Sequence, residues 1–326
     1  MRLDNQARSS VPEQTANTQS AATVMMIRPA AFNANPLTAE TNAFQKSDAP
    51  DASQLLAAAQ REFDGLAAKL AAAGVEVCVF QDDSDAVRPD AVFPNNWITT
   101  HADGSVVLYP MLAENRRTER RPDLVHRLAT EHGFVVRTIV DFSPYELTGK
   151  ILEGTGSMIL DRVNSVVYAC RSQRTDADVL AEFCDRFDCR PVLFDAVDRN
   201  GLAIYHTNVM MTLGTAFAVV CLESICDPGE RDTLVALLEQ TGHELIEITY
   251  TQMEQFAGNM LELRAAETLV IAMSQRARDS LAPDQVAALE RHANLVSSPI
   301  EMLEDYGGGS VRCMLAEIFL PKENMQ

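Results

Sequence analysis

Three side chains of this 326-residue chain have types and surroundings suited to covalent chemistry. Cys313 follows Tyr306-Gly-Gly-Gly-Ser-Val-Arg, a loop whose glycines let backbone come close to a ligand. Arg312 is adjacent, and a cation beside a thiol favours the nucleophilic thiolate. His206 sits between apolar Ile204-Tyr205 and Val209-Met-Met, where an imidazole could move protons. Glu153 opens Glu-Gly-Thr-Gly-Ser, and a carboxylate there could hold an imidazole in one tautomer. Each has a plainer alternative: a buried strand cysteine beside a glycine turn, a satisfied core histidine, and a wet terminal charge.

The remaining candidates carry less. Cys78, Cys170 and Cys221 lie inside apolar strands and read as small hydrophobes. Neither Cys184/Cys189 nor Cys221/Cys226 has the spacing of a zinc knuckle or a thioredoxin-like redox pair. His101, His126, His132, His243 and His292 fall in turns or on polar helix faces and are expected to be solvated. No phosphate loop, dinucleotide fingerprint or Gly-x-Ser-x-Gly elbow occurs. The reading requires no metal and no organic cofactor.

Composition narrows the partners. The chain carries 46 acidic and 27 basic side chains, for a net charge of −19. That balance argues against nucleic acid and against an anionic membrane surface, both of which need clustered Lys and Arg. No run of 18 apolar residues occurs, so no membrane-spanning helix is expected. What these exclusions leave is a small-molecule partner, and a homodimer is compatible with the sequence. Residues 1–22 are polar, rich in Ser, Thr, Gln and Asn, and read as a disordered tail rather than a signal peptide. Residues 23–326 read as a single catalytic domain. Seven cysteines, an odd number in a long chain, suggest a reduced, cytoplasmic protein.

The elements that would position these residues alternate strand and helix. Thr23 to Arg28 is a strand ended by Pro29, and residues 32–52 form a long loop of the kind used as lids. A helix is expected over 53–73, a strand over 75–80, a helix over 123–131 and a strand over 134–139. Helix 175–187, strand 191–194, helix 229–240, strand 244–249, helix 283–292 and strand 294–296 come next. Five times a small or polar cluster leads into an apolar strand. Aligning Asn96, Ser157, Asn208, Asn259 and Ser310 gives steps of 61, 51, 51 and 51 residues. A period near 50 implies one supersecondary unit repeated, each burying its apolar face on its neighbours. Five such units in a closed ring would bring the clusters together at one end.

With these residues assembled, the chain resembles the guanidino-group-modifying enzymes, the pentein superfamily of arginine deiminases and amidinotransferases. The likeness is greatest to its arginine-deiminase-related, citrulline-utilising hydrolases. It rests on Phe93-Pro-Asn-Asn-Trp, Leu152-Glu-Gly-Thr-Gly-Ser, His206-Thr-Asn, Gly258-Asn-Met-Leu-Glu-Leu and Gly307-Gly-Gly-Ser-Val-Arg-Cys-Met, and spans Val24 to Pro321. The resemblance implies an α/β fold, a five-bladed α/β propeller with pseudo-fivefold symmetry. It assigns Cys313, His206 and Glu153 to the reactive centre. It also implies that Asn96 and Asn208 occupy positions where arginine deiminases carry aspartates that grip a guanidinium. Arg117, within Arg116-Arg117-Thr-Glu119, matches a segment that helps recognise the substrate carboxylate, the alternative being a solvated basic run.

An Asn amide offers a donor and an acceptor, which suits a neutral ureido group better than a cation. The expected activity is therefore cysteine-dependent hydrolysis of the ureido group of citrulline or a close relative. An S-carbamoyl enzyme would form, and ornithine, carbon dioxide and ammonia would be released. The alternatives are an arginine or dimethylarginine hydrolase, an amidinotransferase, and a catalytically silent amino-acid-binding propeller.

Overall fold

The computed structural model describes residues 18–38, 42, 44–46, 51–83, 87–266 and 268–323. Its strands are β1 (Thr23–Arg28), β2 (Glu76–Gln81), β3 (Ile98–Thr100), β4 (Ser105–Leu108) and β5 (Thr138–Asp141). They continue as β6 (Ile159–Asp161), β7 (Val166–Cys170), β8 (Arg190–Phe194), β9 (Met211–Leu213) and β10 (Phe217–Val220). The last are β11 (Glu244–Glu247), β12 (Leu261–Ala265), β13 (Thr268–Ser274), β14 (Asn294–Ser298) and β15 (Ala316–Ile318).

These strands pair into five three-stranded sheets of one design. A short strand runs antiparallel to a middle strand, and the middle strand runs parallel to a third: β3-β4-β5, β6-β7-β8, β9-β10-β11 and β12-β13-β14. The parallel pair needs a long crossover, and in every sheet that crossover contains a helix. The fifth sheet, β15-β1-β2, joins the two ends of the chain. Its crossover helix, Ala52–Ala72, shows why the sequence folds this way. Asp51 caps it by accepting from the amides of Ser53 and Gln54. Leu55, Ala59, Phe63, Leu66 and Leu70 then fall on one face and are all buried. Each large apolar side chain among them contributes about 1.5–3 kcal/mol.

Two expectations are corrected. The strand expected over 134–139 begins only at Thr138, because Phe134 bridges to Lys322, and Val135 and Arg137 donate to the carbonyls of Pro321 and Gly104. His243 is not solvated: it is 5% exposed, with Nδ1 2.8 Å from Thr241 Oγ1. Of the expected tail, residues 1–17 lie outside the described residues. Gln19 and Ser20 are packed in place, Gln19 Nε2 donating to Leu160 O at 2.9 Å and Ser20 bonding Glu262. Among the described residues no helix is long and apolar enough to cross a membrane.

Candidate active site

The five polar clusters stand immediately before β3, β6, β9, β12 and β15, and hydrogen bonds link each of the first four to the next. Thr155 Oγ1 donates to Asn95 O at 3.3 Å, and Thr207 Oγ1 to Ser157 O at 2.6 Å. Asn259 Nδ2 donates to Asn208 O at 2.8 Å, and Arg312 N to Asn259 O at 3.4 Å. Gly309 closes against Phe93, where an added Cβ would meet the ring at 2.9 Å. In four clusters a single helical turn, at 94–96, 154–157, 207–210 and 311–314, lies between the polar residues and the strand. Cys313 therefore sits in the turn Val311–Met314, not within a strand.

The glycines do specific work at two places. Gly308 ends helix Glu301–Gly307 with φ +66, a left-handed backbone that swings the chain towards Cys313. At Gly156 an added Cβ would lie 2.4 Å from Asn96 Nδ2 and 2.8 Å from His206 Cε1 and Nδ1. Gly156→Ala is therefore expected to displace both side chains and lower kcat by at least about tenfold, since small misplacements near reacting groups are costly. Steady-state kinetics with a parallel melting curve checks it.

The structure brings Glu153, His206, Cys313, Asn96 and Asn208 together. His206 Nε2 is 2.8 Å from Glu153 Oε2, and both side chains are almost fully buried. Glu153 Oε1 accepts from the Leu112 amide at 3.0 Å, which fixes the carboxylate. Cys313 Sγ lies 3.4 Å from both Asn208 Nδ2 and Asn259 Nδ2. Asn96, His206 and Cys313 line one small pocket with Phe93, Asp90, Arg116 and Arg174. Thr38 and Asn42, from the loop read as a lid, line it too.

Arg117 and Arg312 lie elsewhere. Arg117 donates to Met111 O at 3.1 Å and pairs with Glu146 at 3.3 Å, and it is not among the residues lining the pocket. Arg116 occupies that wall instead. Arg312 turns away from the thiol to Leu315 O and Glu317. The alternation of neighbours on a tight turn decides which of Arg116 and Arg117 faces inward, and the doublet itself carries no such signal. Sequence reasoning also missed Asp90 and Arg174. Asp90 is a lone acid in a loop with no motif around it.

Electrostatics separates the buried groups. Burial pushes the Glu153 carboxyl up, but Arg174, His206 and Arg116 outweigh it and hold it well below the usual range. Burial pushes His206 down to about 4, with Glu153 opposing only in part. Its imidazole is thus neutral at neutral pH and can accept a proton. Burial raises Asp90 and lifts Glu119 to about 8 against the pull of Arg116. Cys78, Cys170 and Cys221 are pushed up to about 12, 11 and 12 by burial, which keeps them as thiols.

The depressed His206 value bears on stability. Its folded value, about 4, lies below the ordinary 6.5, so the unfolded chain binds the proton more readily. The histidine's contribution is complete above pH 6.5 and lost as pH falls towards 4, by at most about 3 kcal/mol. Urea unfolding of wild type and His206→Gln at pH 7 and pH 4.5 reads this as the part of the acid loss that the variant lacks.

The family model for N,N dimethylarginine dimethylhydrolase, eukaryotic, matches residues 28–320. The chain belongs to this family. With it, the chain belongs to the pentein superfamily of guanidino-modifying proteins. Among solved structures it is similar to the N-terminal domain of ArgZ bound to product, an arginine dihydrolase from the ornithine-ammonia cycle in cyanobacteria. That similarity has a TM-score of 0.70 at 16% identity, over 92% of this chain and 99% of that one. A variant of AgrE in complex with L-arginine gives a TM-score of 0.72 at 16% identity, over 93% of this chain and 41% of that one. A variant of dimethylarginine dimethylaminohydrolase in an adduct with S-methyl-L-thiocitrulline gives 0.60 at 15% identity, over 91% and 99%. No curated protein matches. The structural likenesses support a common pentein fold. Among the described residues, no group of three or more His, Cys, Asp or Glu is placed to hold a metal ion.

Proposed function

We propose that this chain is a thiol hydrolase of the guanidino-modifying class that acts on the ureido group of citrulline or a close relative. One observation carries the reading. Arg116 Nη1 donates to Asn96 Oδ1 at 3.0 Å, and a guanidinium can only donate, so the Asn96 oxygen must face it. The Asn96 Nδ2 donor is then left buried without a partner among the described residues, as is the Asn208 Oδ1 acceptor. A ureido group supplies a carbonyl for the first and an N–H for the second. A guanidinium has no acceptor to offer Asn96. The family membership and the arginine-directed activity named for ArgZ support the wider class.

In the proposed reaction Cys313 gives its proton to neutral His206 as its sulfur adds to the ureido carbon. The imidazolium, held by Glu153, passes that proton to the departing amine as the C–N bond breaks, releasing ornithine and leaving an S-carbamoyl enzyme. Water then gives a proton to His206 and its oxygen to the carbamoyl carbon. The proton returns to the sulfur, and the carbamic acid formed decomposes to carbon dioxide and ammonia. Asn96 and Asn208 orient the planar group for attack. Arg116 rather than Arg117 is the arginine on the pocket wall. We read the five like sheets as blades of a closed propeller, a reading supported by contacts of β15 with β3, β6 with β9 and β9 with β12.

A second reading has one specific support. Asp90 is a buried carboxylate on the pocket wall whose Oδ1 has no partner among the described residues. It could accept a guanidinium and make the substrate arginine or dimethylarginine. The two readings separate on Asn96→Asp. Placing a carboxylate there should raise the arginine-to-citrulline ratio of kcat/KM by at least about tenfold, because a charge-assisted pair is about twice as strong as a neutral one. An unchanged ratio would remove Asn96 as the selector.

A further inference from the structure

A second cleft, of about 210 Å³, opens at the far ends of β3 and β6 from the reactive centre. Asn96 and Glu153–Ser157 precede those strands. The cleft lies at their other ends, lined by residues 101–103 of the β3–β4 turn and, around the end of β6, by Leu160, Asp161, Arg162 and Ser165. Arg162 lies on its wall with one guanidinium face over the Phe319 ring, 3.9 Å from its centroid. The side chain is partly buried, and burial lowers its pKa against the pull of Glu317.

Among the described residues, no hydrogen bond and no ion pair engages the Arg162 side chain, in a chain with 46 acidic residues. The two carboxylates that line the cleft are committed elsewhere. Asp161 accepts from Asn164 N at 2.9 Å and from its Nδ2, and Asp103 accepts from Ser105 N and Oγ, both at 2.8 Å. The lining is also aromatic. Phe183 and Phe187 line it, with His101 stacked on Phe187 at 4.1 Å and kept neutral by burial. A guanidinium with no hydrogen-bond partner among the described residues thus shares one cleft with a cluster of aromatic rings.

We propose that this cleft binds a small planar carboxylate, its anionic end held bidentately by Arg162 and its apolar body against Phe183 and Phe187. An Arg fork matches both carboxylate oxygens, and stacked rings favour a flat body. Benzoate is the probe. Titration calorimetry of the full chain should show saturable binding of benzoate below about 10 mM, and none of benzyl alcohol. Arg162→Met, which keeps the apolar stem, should weaken it by at least about tenfold, and Arg162→Lys, which keeps charge but not the fork, by several-fold. Benzoate should also slow alkylation of Cys189, which lines the cleft. Citrulline turnover without benzoate should be unchanged in both variants. Failure of benzoate to bind, equal binding of benzyl alcohol, or undiminished binding in both Arg162 variants would overturn the proposal. None of these binding readouts depends on which substrate the reactive centre takes.

Discussion

Cys313→Ala is expected to abolish turnover, with kcat down by at least about 10³-fold and the fold retained. The size reflects the role: among the described residues no other cysteine lines the pocket, and the alternatives Cys78, Cys170 and Cys221 are buried thiols pushed far above neutral pH. Without the sulfur no covalent intermediate can form, and the remaining groups orient a substrate that nothing attacks. The structural cost is small. The change removes one buried sulfur and leaves the Asn208 and Asn259 amides without their contacts to it, at about 1–3 kcal/mol. Ornithine release and a thermal melt, run side by side, check both halves. Substantial residual turnover in a folded variant would remove Cys313 as nucleophile.

Glu153→Gln is expected to have the second-largest effect, on activity and stability together. The carboxylate is the anion among three buried partners: His206 Nε2 at 2.8 Å, Arg174 Nη1 at 3.4 Å and Arg116 Nη1 at 4.0 Å. Neutralising it removes the buried anion that Arg174, Arg116 and His206 share, which costs about 3–5 kcal/mol. It also removes the group that raises the His206 pKa, so the imidazolium needed to expel the amine becomes harder to form. Loss of the orienting carboxylate is expected to lower kcat by about 10²–10⁴-fold. Denaturant unfolding gives the first effect and kinetics the second. A folded Gln variant with wild-type kcat would mean that the carboxylate is structural only.

Much of this site was legible from residue order, for a physical reason. Each repeated unit must enter its short antiparallel strand through a turn at the same place, so Asn96, Ser157, Asn208, Asn259 and Ser310 recur in phase and fall just before β3, β6, β9, β12 and β15. Glu153, His206 and Cys313 belong to those clusters, and their meeting is a consequence of the units packing in order. What escaped was set by contacts distant in sequence. Phe134 to Arg137 has the pattern of a strand, yet its bonds go to the C-terminal segment and to Gly104. Arg116 turns inward because Glu119 and Asp90 wait for it, while Arg117 meets Glu146. His243 is buried beside Thr241, a placement that its position in a turn does not announce.

Selection of a ureido group rests on the Asn96 donor and the Asn208 acceptor, both without partners among the described residues. The most direct test is release of ornithine and ammonia by the purified protein from citrulline and, separately, from arginine, with Cys313→Ala as control. Turnover of citrulline is expected, with little or none of arginine and none of either by the control. Turnover of arginine without citrulline would contradict the asparagine argument and turn attention to Asp90 as the carboxylate that receives a guanidinium.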